Sequence, residues 1–139
     1  MPAMTPAERD AFLASVRLGI LSTLRHDGSP VTVPVWFEWD GAAVRCFTSA
    51  GSGKVRRLQR DPRASLLVVN DVGEPEAWVA FDGEVSILRE GAIELAERLA
   101  QRYWDLADPA HRAELETWRK AATALRVIEL IPAQVRTSR

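Results

Sequence analysis

One cysteine, Cys46, stands in the 139-residue chain, which excludes an internal disulfide and a cysteine-rich metal site. Its place inside an apolar run reads as a packed thiol. Histidine is almost as scarce. His26 falls in a turn and His111 on a polar helix face, neither with a partner at ligand spacing, so no zinc site is expected. No run approaches the roughly 20 apolar residues that span a bilayer. The N-terminus, "MPAMTPAERD", lacks the basic-then-apolar layout of a secretory leader. The expected compartment is therefore the cytoplasm, with no membrane partner. Charge of one sign is missing too. A net charge of −1 argues against a general nucleic-acid binder and leaves only local patches to read. There is no G-x-S-x-G elbow, and Glu94, Glu97, Glu114 and Glu116 read as solvated helix faces, so the chain shows no acid–base machinery of its own.

What is present is an ordinary globular composition of a length that suits one domain over residues 1–139, with about two-thirds of the unfolded surface buried. Thr5-Pro6-Ala7-Glu8 predicts a helix start with a capping box. From residue 18 to 88 the pattern is mostly β. "LGILSTL" is a strand, and Asp27-Gly28 turns it into a hairpin with "VTVPVWFEW". In that second run Val31, Val33, Val35 and Phe37 alternate with Thr32, Pro34, Trp36 and Glu38. Pro34 has no N–H to donate, which predicts an edge, a bulge or an opening in the ladder where a ligand enters. Asp40-Gly41 leads into "AAVRCFTS", and a short helix from Ser52 to about Gln59 ends at Asp61-Pro62. "ASLLVVN" reads as a central strand and "EAWVAFDGEVSIL" as a long one with a bulge at Gly83. Ile93, Ala96, Leu99, Ala100 and Tyr103 fall on one helical stripe, and Asp108-Pro109 opens a further helix with Leu115 and Trp118 inward. "ALRVIEL" and a short "AQVRT" close the chain. These elements describe an antiparallel barrel with helices on its outside: mainly β, with flanking helices.

Positive charge gathers behind one turn. Lys54 to Arg63 holds one lysine and four arginines against a single acid, Asp61. The stretch "TSAGSGKVRRL" ends a strand at Thr48-Ser49 and starts a helix near Ser52, and a helix start presents unpaired N–H groups that attract an anion. A lysine in the first turn opposes the helix dipole, which a phosphate or carboxylate ligand explains and a solvated basic face beside acidic neighbours explains equally well. The spacing is not that of a P-loop. Five tryptophans add a second signal. Trp104 and Trp118 sit on helix stripes and read as core. Trp36, Trp39 and Trp78 lie in or beside strands, where Trp36 and Trp78 would line a ring-binding pocket or a subunit interface.

The motif Thr48-x-x-x-Ser52-x-Lys54-x-x-x-Leu58, followed by Asp61-Pro62-Arg63, resembles the pyridoxamine 5′-phosphate oxidase-like superfamily, in particular its deazaflavin-using branch. "GILSTLRHDGSPVTVPVWFEWDG", "AWVAFDGEVSI" and "LRVIELIPAQVR" extend the likeness over nearly the whole chain. The resemblance implies a split antiparallel β-barrel of the FMN-binding type and a homodimer with a flavin-like ring at the subunit interface. It also implies a basic groove that begins at Lys54. Two features of the oxidase members are missing: basic residues between positions 30 and 37, and a C-terminal W-x-R, since the chain ends "VRTSR". The cations that remain, Lys54, Arg56, Arg57 and Arg60, suit the long anionic tail of coenzyme F-420, with FMN as the alternative. The resemblance places Lys54 and Ser52 on phosphate, and Arg57 and Arg56 on the tail. It places Thr48 and Ser49 near the ribityl chain, the backbone of Pro34, Val35 and Trp36 at the ring edge, and Trp78 over the pocket from the partner subunit. The implied activity is hydride transfer to a small-molecule acceptor, with no catalytic side chain identified. An FMN oxidase or reductase, or a non-catalytic flavin or haem carrier, stays open beside it.

Overall fold

The computed structural model describes residues 2–139. Helix α1 (Pro6–Ala14) starts as its sequence predicts. Thr5 Oγ1 accepts from the Glu8 N–H at 3.2 Å while Glu8 Oε2 accepts from the Thr5 N–H at 2.7 Å, pairing two donors that a helix start leaves orphaned. The other end is capped from far along the chain. Arg102 Nη2 donates to the Leu13 and Ser15 carbonyls, each at 2.9 Å.

Seven strands follow in one antiparallel sheet: β1 (Gly19–Leu24), β2 (Pro30–Val35), β3 (Glu38–Trp39), β4 (Val44–Ser49), β5 (Arg63–Val69), β6 (Trp78–Leu88) and β7 (Leu125–Ser138). Their order is β2-β1-β5-β6-β7-β4-β3, curled into a half-barrel with flanking helices, which is the split barrel expected. Helix α2 (Gly53–Arg60) packs against β1, β4 and β6, and α3 (Ala92–Tyr103) and α4 (Pro109–Lys120) form a layer outside β4 and β7. No helix among the described residues is long and apolar enough to cross a membrane.

Two strand boundaries differ from the sequence reading. "VTVPVWFEW" keeps its alternation but is not one strand. β1 begins at Gly19, which pairs with Val35, so the ladder has no partner beyond that point. Trp36 and Phe37 carry the chain across the gap to β3, at the opposite edge of the sheet. Conversely, "ALRVIEL" and "AQVRT" are one continuous strand, β7. It pairs with β6 over residues 127–138 but with β4 only over residues 125–130. Past Leu130 its second edge is free, and a free edge tolerates Pro132. The irregularity expected at Gly83 is present, though the extra residue belongs to β7. Asp82 pairs with Gln134 and Gly83 with Pro132, which leaves Ala133 unpaired. A Cβ on Gly83 would sit 3.1 Å from the Ala133 nitrogen, too close for backbone that cannot yield.

The register also explains the prolines of β2. The Arg25 N–H donates to the Ser29 carbonyl at 2.8 Å, which sets the hairpin's alternation. Val31, Val33 and Val35 then face β1, and the backbone of Pro30, Thr32 and Pro34 faces outward. An outward position on an edge strand is where a missing N–H costs least, and β2 is an edge strand.

Apolar side chains form two clusters. Inside the barrel Leu21, Phe37, Leu66, Phe81, Val68 and Ile128 are fully enclosed, each burial of that size stabilising by about 1.5–3 kcal/mol. Outside it, Ala92, Leu95, Ala96 and Leu99 of α3 cover Leu125 and Val127 of β7. Leu95 joins the stripe read from sequence, whereas Ile93 and Tyr103 are half-buried at its margin.

Candidate functional site

The strand β4 ends at Ser49, and the chain turns back through Ala50-Gly51 into α2. Ser52 is its N-cap: Oγ accepts from the Val55 N–H at 3.3 Å, and the Arg56 N–H reaches the Ser52 carbonyl at 3.2 Å. Among the described residues the N–H groups of Gly53 and Lys54 have no acceptor, as at any helix start. Three arginines are held around this junction by neutral partners. Arg56 Nη1 donates to the Gly51 carbonyl at 2.6 Å, Arg57 Nε to Thr23 Oγ1 at 2.8 Å, and Arg60 Nη2 to the Leu24 carbonyl at 3.1 Å. A Cβ at position 53 would lie 2.8 Å from Arg57 Nη1, so the glycine makes room for the guanidinium beside the helix start.

Among the described residues, none of Lys54, Arg56, Arg57 and Arg60 has a carboxylate within 4.0 Å. Other arginines of the chain are paired: Arg17 with Glu74, Arg45 with Asp40 and Glu129, Arg98 with Glu38, Arg136 with Asp82. The acidic neighbours that a merely solvated basic face would have are not there. Arg25, Arg89, Arg102, Arg112, Arg126 and Lys120 likewise have no carboxylate within that distance, but the four α2 cations stand together at one helix.

Lys54 leans into a slot where the sheet fails to close. The slot encloses about 250 Å³ and is lined by Pro34, Val35, Trp36, Phe47, Lys54, Trp104 and Trp118. One wall is the free edge of β2 and the other is aromatic. Trp36 stacks on Tyr103 with centroids 5.1 Å apart and planes 1° from parallel, and Trp104 meets Trp36 edge-on at 4.8 Å. Trp104 and Trp118 were expected in the core. They are half-buried instead, because α3 ends at Tyr103 and the turn to α4 brings both rings to the mouth of the slot. A stripe on a helix wheel cannot tell core from cavity wall, since both are apolar.

Lys54, Pro34, Val35 and Trp36 thus line one slot. Thr48 is buried at the end of β4, and Ser49, Ser52, Arg56 and Arg57 flank the α2 start beside the slot. Trp78 lies elsewhere in the chain. It sits on the outer face of β6, in a trough with Ile20, Ser22, Leu67, Val69 and Ala80, beneath the Arg136 guanidinium at 5.8 Å. Cys46 packs behind Lys54, its thiol pushed up to about 12 by burial, which leaves it an inert apolar group.

An aromatic slot beside a cationic helix start, on a split barrel, has the chemistry that suits a flat ring with an anionic handle. Residues 5–139 match the family described as pyridoxamine 5′-phosphate oxidase, and the chain belongs to that family. It is 35% identical over 97 residues to an F420H(2)-dependent biliverdin reductase of Mycobacterium tuberculosis, covering 67% of this chain and 68% of that protein. A solved structure of a conserved hypothetical protein from Mycobacterium tuberculosis superposes with a TM-score of 0.79 at 25% identity, over 96% of this chain and 84% of that one. A structure described as an F420 reductase gives 0.72 at 24% identity, over 91% and 94% of the two chains, and supports the fold.

Proposed function

We propose that the protein is a homodimeric oxidoreductase that binds reduced coenzyme F-420 at the slot and passes a hydride to an organic acceptor. The observation that carries this reading is the set of four α2 cations without a carboxylate partner, placed where Lys54 lines a slot edged by Pro34–Trp36. The F420 dependence of the biliverdin reductase relative supports the same choice of coenzyme. Reduced deazaflavin supplies two electrons as hydride, and water supplies the proton that completes reduction of the acceptor.

The chain's own part is to hold and to dry. Lys54, the Ser52 hydroxyl and the free N–H groups of Gly53 and Lys54 suit a phosphate. Arg56 and Arg57 lie one turn further on, where an anionic tail leaves it. Exposed Ser49 ends the strand beside that point and suits a polyol chain, whereas Thr48 is buried on the inner face with Val44 and Cys46 and would act there only through its backbone. The outward backbone of Pro34 and the rings of Phe47 and Trp36 give the conjugated ring an apolar bed from which water is excluded. FMN carries only a terminal phosphate and leaves the outer arginines without work, which is why the longer anion is preferred.

The homodimer is supported by the bare face of the sheet. Cross-strand pairing lines up Pro34, Ile20, Leu67 and Ala80 in one row on the outer surface of β2, β1, β5 and β6. Pro34 belongs both to this row and to the slot, so a second copy seated on the face borders the slot and brings its Trp78 towards it. Equilibrium binding of F-420, FMN and haem to wild type and Lys54→Ala tests the reading. A charge-assisted phosphate contact is worth roughly 1.5–3 kcal/mol, so F-420 affinity should fall about ten- to a hundredfold in the variant. Unchanged affinity, or preference for FMN or haem over F-420, would falsify the assignment.

A further inference from the structure

We infer that Tyr103 is a positioning residue: its hydroxyl stands in for the next rung of the β1–β2 ladder, holds that ladder open at Trp36, and so sets where a bound ring lies. The inference deepens the proposed reading of the slot as the ring site and rests on it. Gly19 pairs with Val35 and Leu21 with Val33, so two residues outward Arg17 would face Phe37. Val31, Val33 and Val35 turn their backbone groups towards β1, and the alternation gives Phe37 the same direction. An unbroken ladder would bond the Phe37 N–H to the Arg17 carbonyl. Here the Phe37 N–H donates to the Tyr103 hydroxyl at 3.3 Å, and that hydroxyl donates to the Arg17 carbonyl at 2.6 Å. The Phe37 carbonyl lies 3.4 Å from the same oxygen, but the single hydroxyl proton goes to the nearer acceptor. A phenol is donor and acceptor at once, so one group fills the rung from both sides.

Both posts of this bridge are fixed. Arg17 is buried, its Nε donates to the Phe12 carbonyl at 3.1 Å, and its guanidinium pairs with Glu74. Phe37 is fully enclosed in the barrel core. Tyr103 is the last residue of α3, and the buried Leu95 and Leu99 of that helix set the depth to which its hydroxyl reaches. The Tyr103 ring lies parallel to Trp36, with centroids 5.1 Å apart and planes at 1°. Trp36 lines the slot and Tyr103 does not, so Tyr103 acts on the slot through Trp36 and the backbone that follows it. Without the hydroxyl, the Phe37 N–H and the Arg17 carbonyl either lose their partner or close on each other and zip the strands by one more rung. Each result displaces Trp36 and the slot wall it forms.

The test is Tyr103→Phe, which keeps the ring against Trp36 and removes only the hydroxyl. Two probes are titrated by their emission: oxidised F-420, and the deazaflavin ring on its ribityl chain alone, without phosphate or tail. Both should bind the variant about three- to tenfold more weakly than wild type, and by the same factor, because the change touches the ring and not the anionic handle. The emission of the bound ring should shift as well. A residue that only stabilised the fold would lower the melting temperature and leave both affinities as they were. In the ligand-free protein, the amide resonances of Trp36 and Phe37 should move in the variant. Affinities within about twofold of wild type for both probes, or unmoved Phe37 and Trp36 amides, overturn the inference. If the variant melts too early to titrate, wild type decides: the Phe37 N–H, which no strand pairs, should exchange with solvent at least about a hundredfold more slowly than a free amide, and fast exchange overturns the bridge. A wild type that binds neither probe sinks the parent reading instead, while the amide measurements still report on the bridge, so the two failures are told apart.

Discussion

The outer surface of one sheet is treated in two ways. Over β4 and β7 it is covered by the chain itself: Leu95, Ala96 and Leu99 of α3 close on Leu125 and Val127, with Phe47 at the margin. Over β1, β5 and β6 Ile20, Leu67, Val69 and Trp78 line an open trough, with the Arg136 guanidinium over the Trp78 ring. Both faces are built from alternating strands of similar apolar content. The difference is that residues 89–124 return over one half and not the other. The bare half is broken by polar groups, with Ser65 donating to Asp82 at 2.6 Å and Asp82 held by Arg136 at 2.6 and 3.0 Å. Apolar in the middle and satisfied in its polar contacts, this surface is the one on which the proposed second copy would sit. The slot lies on the border between the two halves, with Pro34 on one side and Trp104 and Trp118 on the other.

The comparison breaks most easily on its covered side. Leu99→Ala removes a fully buried side chain from the helix layer and should cost about 2–5 kcal/mol in a urea or guanidinium melt. A loss under 1 kcal/mol would mean that the layer is not the sealed core described here. On the bare side the expected effect is on assembly. Leu67→Asp places a charge in the middle of this half-buried row and should shift sedimentation from the proposed dimer to monomer. A wild type that sediments as a monomer removes the dimer altogether.

The smallest effect concerns the rim of the bare face, where the turn between β5 and β6 is tied to the segment after α1. Buried Arg17 holds Glu74 through Nη1 at 2.5 Å and Nη2 at 3.0 Å, and the hydrogen bond to Arg17 lowers the Glu74 carboxyl to about 2. A carboxyl lowered on folding adds stability above its ordinary value of 4.5, and that stability is lost as pH falls towards 2. Glu74→Gln should therefore lower stability slightly at pH 7 and flatten the acid limb between about pH 4.5 and 2, as read from melting temperature against pH. An unchanged acid limb would show that the tie contributes nothing.

Much of this was legible in the residues. Thr5 with Glu8, Ser52 and Asp108 marked helix starts because a cap is a local hydrogen bond. Asp27-Gly28 and Asp40-Gly41 marked hairpins for the same reason, and Pro34 narrowed its strand to an edge, a bulge or an opening, of which the edge is found. The basic helix start was visible as composition, but its lack of acidic partners was not, since ion pairs such as Arg17 with Glu74 join residues far apart in the chain. The break between β2 and β3 depends on where β1 begins, and the unity of β7 depends on β6 continuing beside it.

Local chemistry determined where the helices start, where the chain turns, which runs are apolar enough for strands, and that cations cluster behind Ser49. Tertiary structure decided which apolar faces find a cover, that Trp104 and Trp118 wall a cavity, and that Trp78 stands on the opposite side of the β1–β5–β6 surface from the barrel core. The reason is physical. A cap or a turn is satisfied within a few residues, whereas a cavity exists only where several distant elements fail to fill the space between them.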